Sequence, residues 1–333
     1  MYFLCVDKPS GYTSHDIVFL FRVLTGIKKI GHTGTLDPFA TGVLVLAFQD
    51  ATKLIGHIPT HSKHYQCVLK LGERTETADC TGDLVDTVPV PVDANSLIED
   101  HLSHFTGRIT QTPPKYSAIK VNGKRLYEYA RQGLDVDIPS REVHIDALSL
   151  LSEVDGYTPS TAEIGLDIHC SKGTYIRSLG CDIAESIGTA GHLSVLRRLS
   201  SDGVDISKAL TLQQVAELVT HEPVEDWRLA LSKEGKDLFT RRSRSEVLDL
   251  LKSHWISPTV LFRSMPSVVA NLEESFRLAQ GTCIDSLRTR LPSTEVIQVL
   301  WDNHILALVR SDGSIVRVNP SIADMRIAQQ SAI

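Results

Sequence analysis

The segment Gly31-His32-Thr33-Gly34-Thr35-Leu36-Asp37-Pro38-Phe39-Ala40-Thr41-Gly42-Val43-Leu44 constrains the fold more than any other stretch of the chain. Three glycines and a proline crowd it, which argues against the interior of a regular helix or strand. A helical pattern precedes it, and the apolar run Val43 to Phe48 reads as a buried strand. Its one strong acid, Asp37, stands before Pro38, which biases Asp37 towards an extended backbone and sets the direction in which the chain leaves. A carboxylate on a stiff, glycine-hinged loop at a strand mouth is a common place for a catalytic group. The same residues also suit a plain Asp-Pro turn, and local chemistry leaves both readings open.

Bulk properties narrow the class. With 333 residues, 42% of them hydrophobic and 22% charged, the chain has material for one large and one small globular domain. No apolar run is long enough to span a membrane, and the start, Met1 to Lys8, lacks the length and flanks of a signal peptide. The six cysteines are scattered without a CxxC pair, which suggests neither a zinc site nor a disulfide framework and suits a reducing cytoplasm. The net charge of -6 permits nucleic-acid binding only if positive charge is concentrated locally. Two lookalikes of the glycine-rich segment fail. The D-K-T-G-T of aspartyl-phosphate ATPases overlaps Thr33-Gly34-Thr35, but Gly31 stands where the nucleophilic acid is needed. A phosphate-cradling P-loop needs Lys and Ser or Thr after its second glycine.

Along the chain, residues 2–6 read as a strand and Asp7 to Gly11 as a turn. Thr13 and Asp16 form a capping box for a helix whose apolar residues run from Ile17 to Leu24 and which Gly26 ends. Ala51 to Ile58 is a short helical run, His64 to Leu71 a strand, Asp93 to Phe105 an amphipathic helix, and 142–151 with 161–170 a strand pair. Another amphipathic helix covers 211–219; 220–264 is less regular, with the basic cluster Arg241-Arg242-Ser243-Arg244. Three apolar runs close the chain, with turns at Asp302-Asn303 and at Asp312-Gly313, the latter a hairpin signal. Positive charge concentrates between Gln111 and Arg131. Lys115, Lys120, Lys124, Arg125 and Arg131 stand there against one acid, Glu128, with three tyrosines interleaved. Basic residues attract phosphate and aromatic rings stack bases, although a solvated amphipathic helix has the same composition.

GHTGTLDPFATGVL resembles the motif of the TruB-type pseudouridine synthases, which convert uridine 55 in the T loop of tRNA to pseudouridine. Further blocks support the resemblance: KPSG at Lys8, the passage Cys170-Ser171-Lys172-Gly173-Thr174-Tyr175-Ile176-Arg177, and the segment from Gly191 ending in Leu196-Arg197-Arg198. It implies an α+β pseudouridine synthase fold with a central mixed or antiparallel sheet flanked by helices, a thumb insertion and a small C-terminal PUA-like β domain. It also implies that Asp37 is the catalytic carboxylate, paired with Arg177. Tyr65 would stack on the uracil, with Tyr175 and Leu196 completing an apolar slot, and His32 would stack in the T loop or fill the space the base leaves. Lys28 and Lys29 become candidate phosphate contacts. The basic stretch matches the thumb that clamps the tRNA arm, with Lys115, Lys120, Lys124, Arg125 and Arg131 as RNA contacts. Guide-dependent archaeal and eukaryotic relatives diverge there, so the chain resembles the standalone bacterial type.

The expected domains are 1–219 for catalysis with the thumb at about 108–140, a linker or accessory insertion at 220–264, and the PUA-like unit at 265–333. Pseudouridylation breaks the C1′–N1 bond, turns the uracil and rejoins it through C5. It neither oxidises nor imports a group, so no cofactor or metal is expected, and tRNA is the expected partner without a guide RNA, obligate protein partner or membrane. A pseudouridine synthase for another RNA, or a non-catalytic RNA binder of this fold, are the alternatives. Asp37, Tyr65 and Arg177 argue against the binder, and the thumb against the other RNA.

Overall fold

The computed structural model describes residues 2–322 except 60–61, 157, 161, 221–226, 228–241, 283–284, 294–295 and 320–321. Thr161, Arg241 and most of 220–241 therefore lie outside the described residues, as does the end of the chain beyond Ile322.

The core is a mixed sheet. Its strands are β1 (Tyr2–Lys8), β2 (Ile30–His32), β3 (Thr41–Phe48), β4 (Lys63–Leu71), β5 (Gly107–Gln111), β6 (Arg141–Leu151), β7 (Glu163–Cys170), β8 (Gly191–Ser201), β9 (Leu210–Thr211) and β10 (Trp255–Ile256). Neighbours run in the order β9-β1-β3-β8-β4-β7-β6-β5, with β2 added to β3, β10 to β1 and the two-residue strand Val204–Asp205 to β8. β1 and β3 are buried on both faces, which is why they read as continuous apolar runs rather than alternating ones. On the front face, Leu4, Leu44, Leu46, Tyr65, Cys67, Leu69 and Leu166 pack against helices α1 (Ser14–Thr25), α4 (Ile176–Ser186) and α5 (Leu212–Thr220). Helices α2 (Ala94–His101) and α3 (Leu126–Arg131) lie between β4 and β6 in the chain. On the back face, Phe3, Cys5, Val43, Val45 and Ala47 meet Leu261, Phe262, Ile305 and Leu308. The last two belong to a four-stranded sheet of β11 (Ser267–Val269), β12 (Ile297–Trp301), β13 (His304–Val309) and β14 (Ile315–Val318). The turn between β12 and β13 places Asp302 and Asn303 at positive φ, the backbone of a tight hairpin.

α1 has the expected capping box, with Thr13 accepting from the Asp16 amide, and ends at Gly26 in the left-handed region. The strand pair 142–151 and 161–170 is present as β6 and β7, antiparallel.

Four local expectations need correction. Asp7 and Lys8 are not in a turn: β1 continues through them because they pair with Val43 and Gly42 of β3. Gly31 and Gly42 do sit within strands. At Gly42, φ is +101° and a Cβ would collide with the backbone of Arg198, so glycine permits the close parallel contact between β3 and β8. The helical run 51–58 is two 3₁₀ turns, Gln49–Lys53 and Ile55–His57. The helix over 93–105 tightens after α2 into a 3₁₀ turn, Leu102–Phe105.

The described part of 220–264 carries an accessory helix that packs on the core. Helix α6 (Arg244–Leu251) starts with a Ser243–Glu246 capping box and buries Val247 and Leu251 in the front core beside Trp227. β10 pairs with Phe3 and Leu4, and Trp255 stacks on Tyr2 with ring centroids 3.3 Å apart.

Candidate active site

Asp37 lies on the loop between β2 and β3, and the backbone around it is pinned from outside. The Leu36 amide donates to Ser14 Oγ at 2.8 Å, and the Ser14 hydroxyl donates to the Leu36 carbonyl at 3.1 Å. The Pro38 carbonyl accepts from the Gly11 amide at 2.8 Å and from Lys8 Nζ at 3.2 Å. Leu36, Phe39 and Ala40 are buried. Fixed backbone on both sides of the acid limits where its carboxyl group can go.

Arg177, in the first turn of α4, is 3% exposed. A guanidinium at a helix N-terminus opposes the helix dipole, so compensation must come from elsewhere. Here its Nε and Nη2 donate to the two Asp37 oxygens at 2.9 and 3.1 Å. Its Nη1 donates to the Thr77 carbonyl at 2.6 Å and lies 3.5 Å from Asp79, and Nη2 also donates to the Tyr116 carbonyl at 2.9 Å. Asp79 is itself buried and accepts from the Thr77 hydroxyl at 2.7 Å and the Thr81 amide at 3.0 Å. The result is a two-carboxylate, one-guanidinium network drawn from three distant parts of the chain. The Asp37 side chain remains 32% exposed at the cleft rim although protein surrounds it. Burial pushes its pKa above the usual carboxylate value and Asp79 adds to the rise, while Arg177 and Lys8 oppose it. Arg177 thus orients the carboxyl group as expected, but its attraction is outweighed by desolvation.

The cleft has a volume of about 430 Å³, within the range of small-ligand sites. Asp37, Tyr65, Tyr175, Arg177 and Leu196 all line it. Tyr65 and Leu196 are buried on adjacent strands β4 and β8. Burial raises the Tyr65 pKa, so its phenol stays protonated at neutral pH. Tyr175 is the residue before α4 rather than part of its first turn, because Gln111 captures its backbone: the Tyr175 amide donates to Gln111 Oε1 at 2.7 Å. The Arg141 guanidinium sits 4.8 Å from the Tyr175 ring centre.

The remaining sequence candidates lie elsewhere. His32 is on β2, outside the cleft lining, with its Nδ1 buried and without a hydrogen-bond partner. Lys115, Lys120, Lys124, Arg125 and Arg131 are exposed. Lys115 pairs with Asp135 at 2.7 Å; Lys124 lies over Tyr129, and Arg125 and Arg131 over Tyr127. Lys28 is exposed, and Lys29 lies 3.5 Å from Asp50.

Several charged residues that support the site were not singled out from the sequence. Lys8 is fully buried, donating to the carbonyls of Pro9, Tyr12 and Pro38, and burial brings its pKa down to about 8. Arg198 is 1% exposed and donates to the carbonyls of Val43 at 2.7 Å and Gly34 at 3.0 Å, tying β8 to the glycine-rich loop. Lys63 pairs with Asp202 at 3.2 Å, and Asp202 accepts from Thr33 Oγ1 at 3.1 Å. The sequence signal was position: Lys8 stands at the end of the buried strand β1, and Arg198 sits two residues past Leu196.

A family model described as "TruB family pseudouridylate synthase (N terminal domain)" matches residues 22–176. The tRNA pseudouridine synthase B of Corynebacterium jeikeium is 40% identical over 259 residues, covering 76% of this chain and 82% of the relative. The protein of that name from Streptococcus gordonii is 45% identical over 219 residues, covering 65% of this chain and 74% of the relative. Among solved structures, a chain of "Crystal Structure of a Cbf5-Nop10-Gar1 Complex" is similar with a TM-score of 0.59, at 20% identity over 96% of this chain and 84% of that one. A chain of "Structure of H/ACA RNP bound to a substrate RNA containing 2'-deoxyuridine" gives a TM-score of 0.57 at 18% identity, covering 93% and 77%. These two likenesses bear on the fold alone.

Proposed function

The chain belongs to the TruB family of pseudouridine synthases, and from that premise we propose that it isomerises uridine 55 in the T loop of tRNA to pseudouridine, with Asp37 as the catalytic carboxylate. The observation that carries the reading is the bidentate Arg177–Asp37 pair at the mouth of a cleft that Tyr65, Tyr175 and Leu196 also line.

The reaction requires an acid side chain next to C1′ and C6 of a uridine removed from its stack. The cleft supplies a carboxylate aimed by two charge-assisted hydrogen bonds and flanked by two aromatic rings and a leucine. Asp37 acts as nucleophile or base on the nucleoside. Tyr65 stacks on the uracil, and its protonated phenol supplies a hydrogen-bond donor at the base. Tyr175 and Leu196 hold the ring while it turns. Outside the cleft, Lys115, Lys120, Lys124, Arg125 and Arg131 attract the phosphates of the T arm, and His32 takes part in T-loop stacking. The reading includes action in the cytoplasm by the single chain, without guide RNA or protein partner. No helix among the described residues is long and apolar enough to cross a membrane.

The test is incubation of the purified chain with an unmodified tRNA transcript, followed by mapping of pseudouridine. Conversion at position 55 is expected. Conversion only at another position, or none, overturns the reading.

A further inference from the structure

The back of the sheet carries a cluster that the reaction does not use. Tyr65 faces the cleft from β4, so alternation sends its neighbours His64 and Gln66 to the opposite face. Across the ladder, His169 of β7 pairs directly with His64, and Asp167 with Gln66. All four side chains therefore share one surface of two paired strands, away from the cleft. His64 Nε2 lies 2.9 Å from Asp167 Oδ2, and His169 Nε2 lies 3.4 Å from Asp167 Oδ1. One ligand atom from each of the three residues falls within 4.8 Å of the others. The imidazoles are stacked with centroids 3.9 Å apart.

We propose that His64, Asp167 and His169 form a binding site for a divalent transition-metal ion of the zinc type, on the face opposite the catalytic cleft. Two imidazoles and one carboxylate favour zinc, cobalt or nickel over magnesium or calcium. For a tetrahedral ion with metal–ligand bonds of about 2.1 Å, adjacent ligand atoms stand about 3.4 Å apart. His169 approaches Asp167 Oδ1 and His64 approaches Oδ2, so an ion held through one carboxylate oxygen requires that carboxylate to turn and one of the stacked imidazoles to tilt towards it. Gln66 Nε2 donates to Asp167 Oδ2 at 3.2 Å and so orients the carboxylate from outside the ligand set. Side-chain exposures of 22% for His64, 19% for Asp167 and 47% for His169 leave the ion a path from solvent and room for water in the remaining position. A bound ion would clamp β4 to β7 and stabilise the sheet by mass action.

The test is titration of the metal-stripped, full-length protein with Zn²⁺ by calorimetry and with Co²⁺ by visible absorption. One saturating equivalent is expected, undisturbed by excess Mg²⁺. His169→Gln and, separately, His64→Gln should weaken this uptake at least tenfold and remove the Zn²⁺-dependent rise in Tm. Both variants should still form pseudouridine without metal, since neither side chain faces the cleft. No saturable uptake by the wild type, or uptake that survives either substitution, overturns the proposal, whatever tRNA assays return.

Discussion

The cleft and the thumb hold charge in opposite ways. In the cleft, Arg177 is 3% exposed and meets Asp37, Asp79 and two backbone carbonyls contributed from far along the chain. On the thumb, Lys124, Arg125 and Arg131 are exposed and lie against the tyrosines beside them. A buried charge is committed, because losing one partner strands the others away from water. An exposed charge is weakly held and can be given to a phosphate at little cost. On the proposed function the cleft holds one geometry while the thumb offers its charge to the RNA, so substitutions in the two places should fail in different measurements.

The sharpest separation is expected at Asp37. Asp37→Asn and Asp37→Ala should lower pseudouridine formation by more than about 10³-fold, the scale of losing a nucleophile or base, while tRNA binding stays nearly intact. Full turnover by Asp37→Ala would break the assignment of the cleft. Next comes Arg177→Met, which leaves buried Asp79 and half-buried Asp37 without their cation. Removing one partner from such a network costs about 3 kcal/mol or more, so chemical denaturation should show a clear loss of stability along with lost turnover. Arg177→Lys should rescue little of either, because a single ammonium cannot reach four partners in a fixed fork. Stability equal to wild type in the methionine variant would show that the network is dispensable to the fold.

The thumb should give the reverse pattern. Reversing Lys120, Lys124 and Arg125 to Glu should weaken tRNA binding and flatten the dependence of log K on log salt by roughly one unit for each phosphate that is no longer neutralised. Turnover at saturating tRNA and thermal stability should change little. An unchanged salt slope would show that these residues do not meet phosphate and would remove the contrast with the cleft.

Much of this was legible in the sequence because it is local. The capping box at Thr13, the Gly26 stop, the alternation of β7 and the Asp302-Asn303 hairpin depend on residues close together in the chain. Asp37 and Arg177 were legible through family resemblance, not through any local property that sets this Asp-Pro apart from another. What spacing could not supply was tertiary. Lys8 looked like a turn residue until its pairing with Gly42 carried β1 onward. Arg198 read only as the end of the Leu-Arg-Arg block, yet it fills the junction of β3 and β8 because the carbonyls of Gly34 in the loop and Val43 in β3 need donors. Asp79 sits in a polar loop whose composition suggests solvent, and only folding brings it to Arg177. Trp255 extends the sheet from a region that reads as linker because a two-residue strand has no periodicity to detect.

The smallest expected effect sharpens the same contrast by pH. Asp37 has its pKa raised, first by desolvation and further by Asp79, with Arg177 pulling against both. If the carboxylate must be ionised to act, kcat/KM should fall on the acid side with unit slope, and the midpoint should lie above the ordinary aspartate value of about 3.9. Asp79→Asn removes a like charge that raises this pKa, so the acid limb should move down, in the direction opposite to added burial. Arg177, freed from Asp79, would lean more fully on Asp37 and move the limb in the same direction. The thumb reversals change charges that are exposed and outside the cleft lining, so at fixed ionic strength they should leave the limb where it is. A limb that follows the thumb charges and ignores Asp79→Asn would mean that the profile reports RNA binding rather than the ionisation of Asp37.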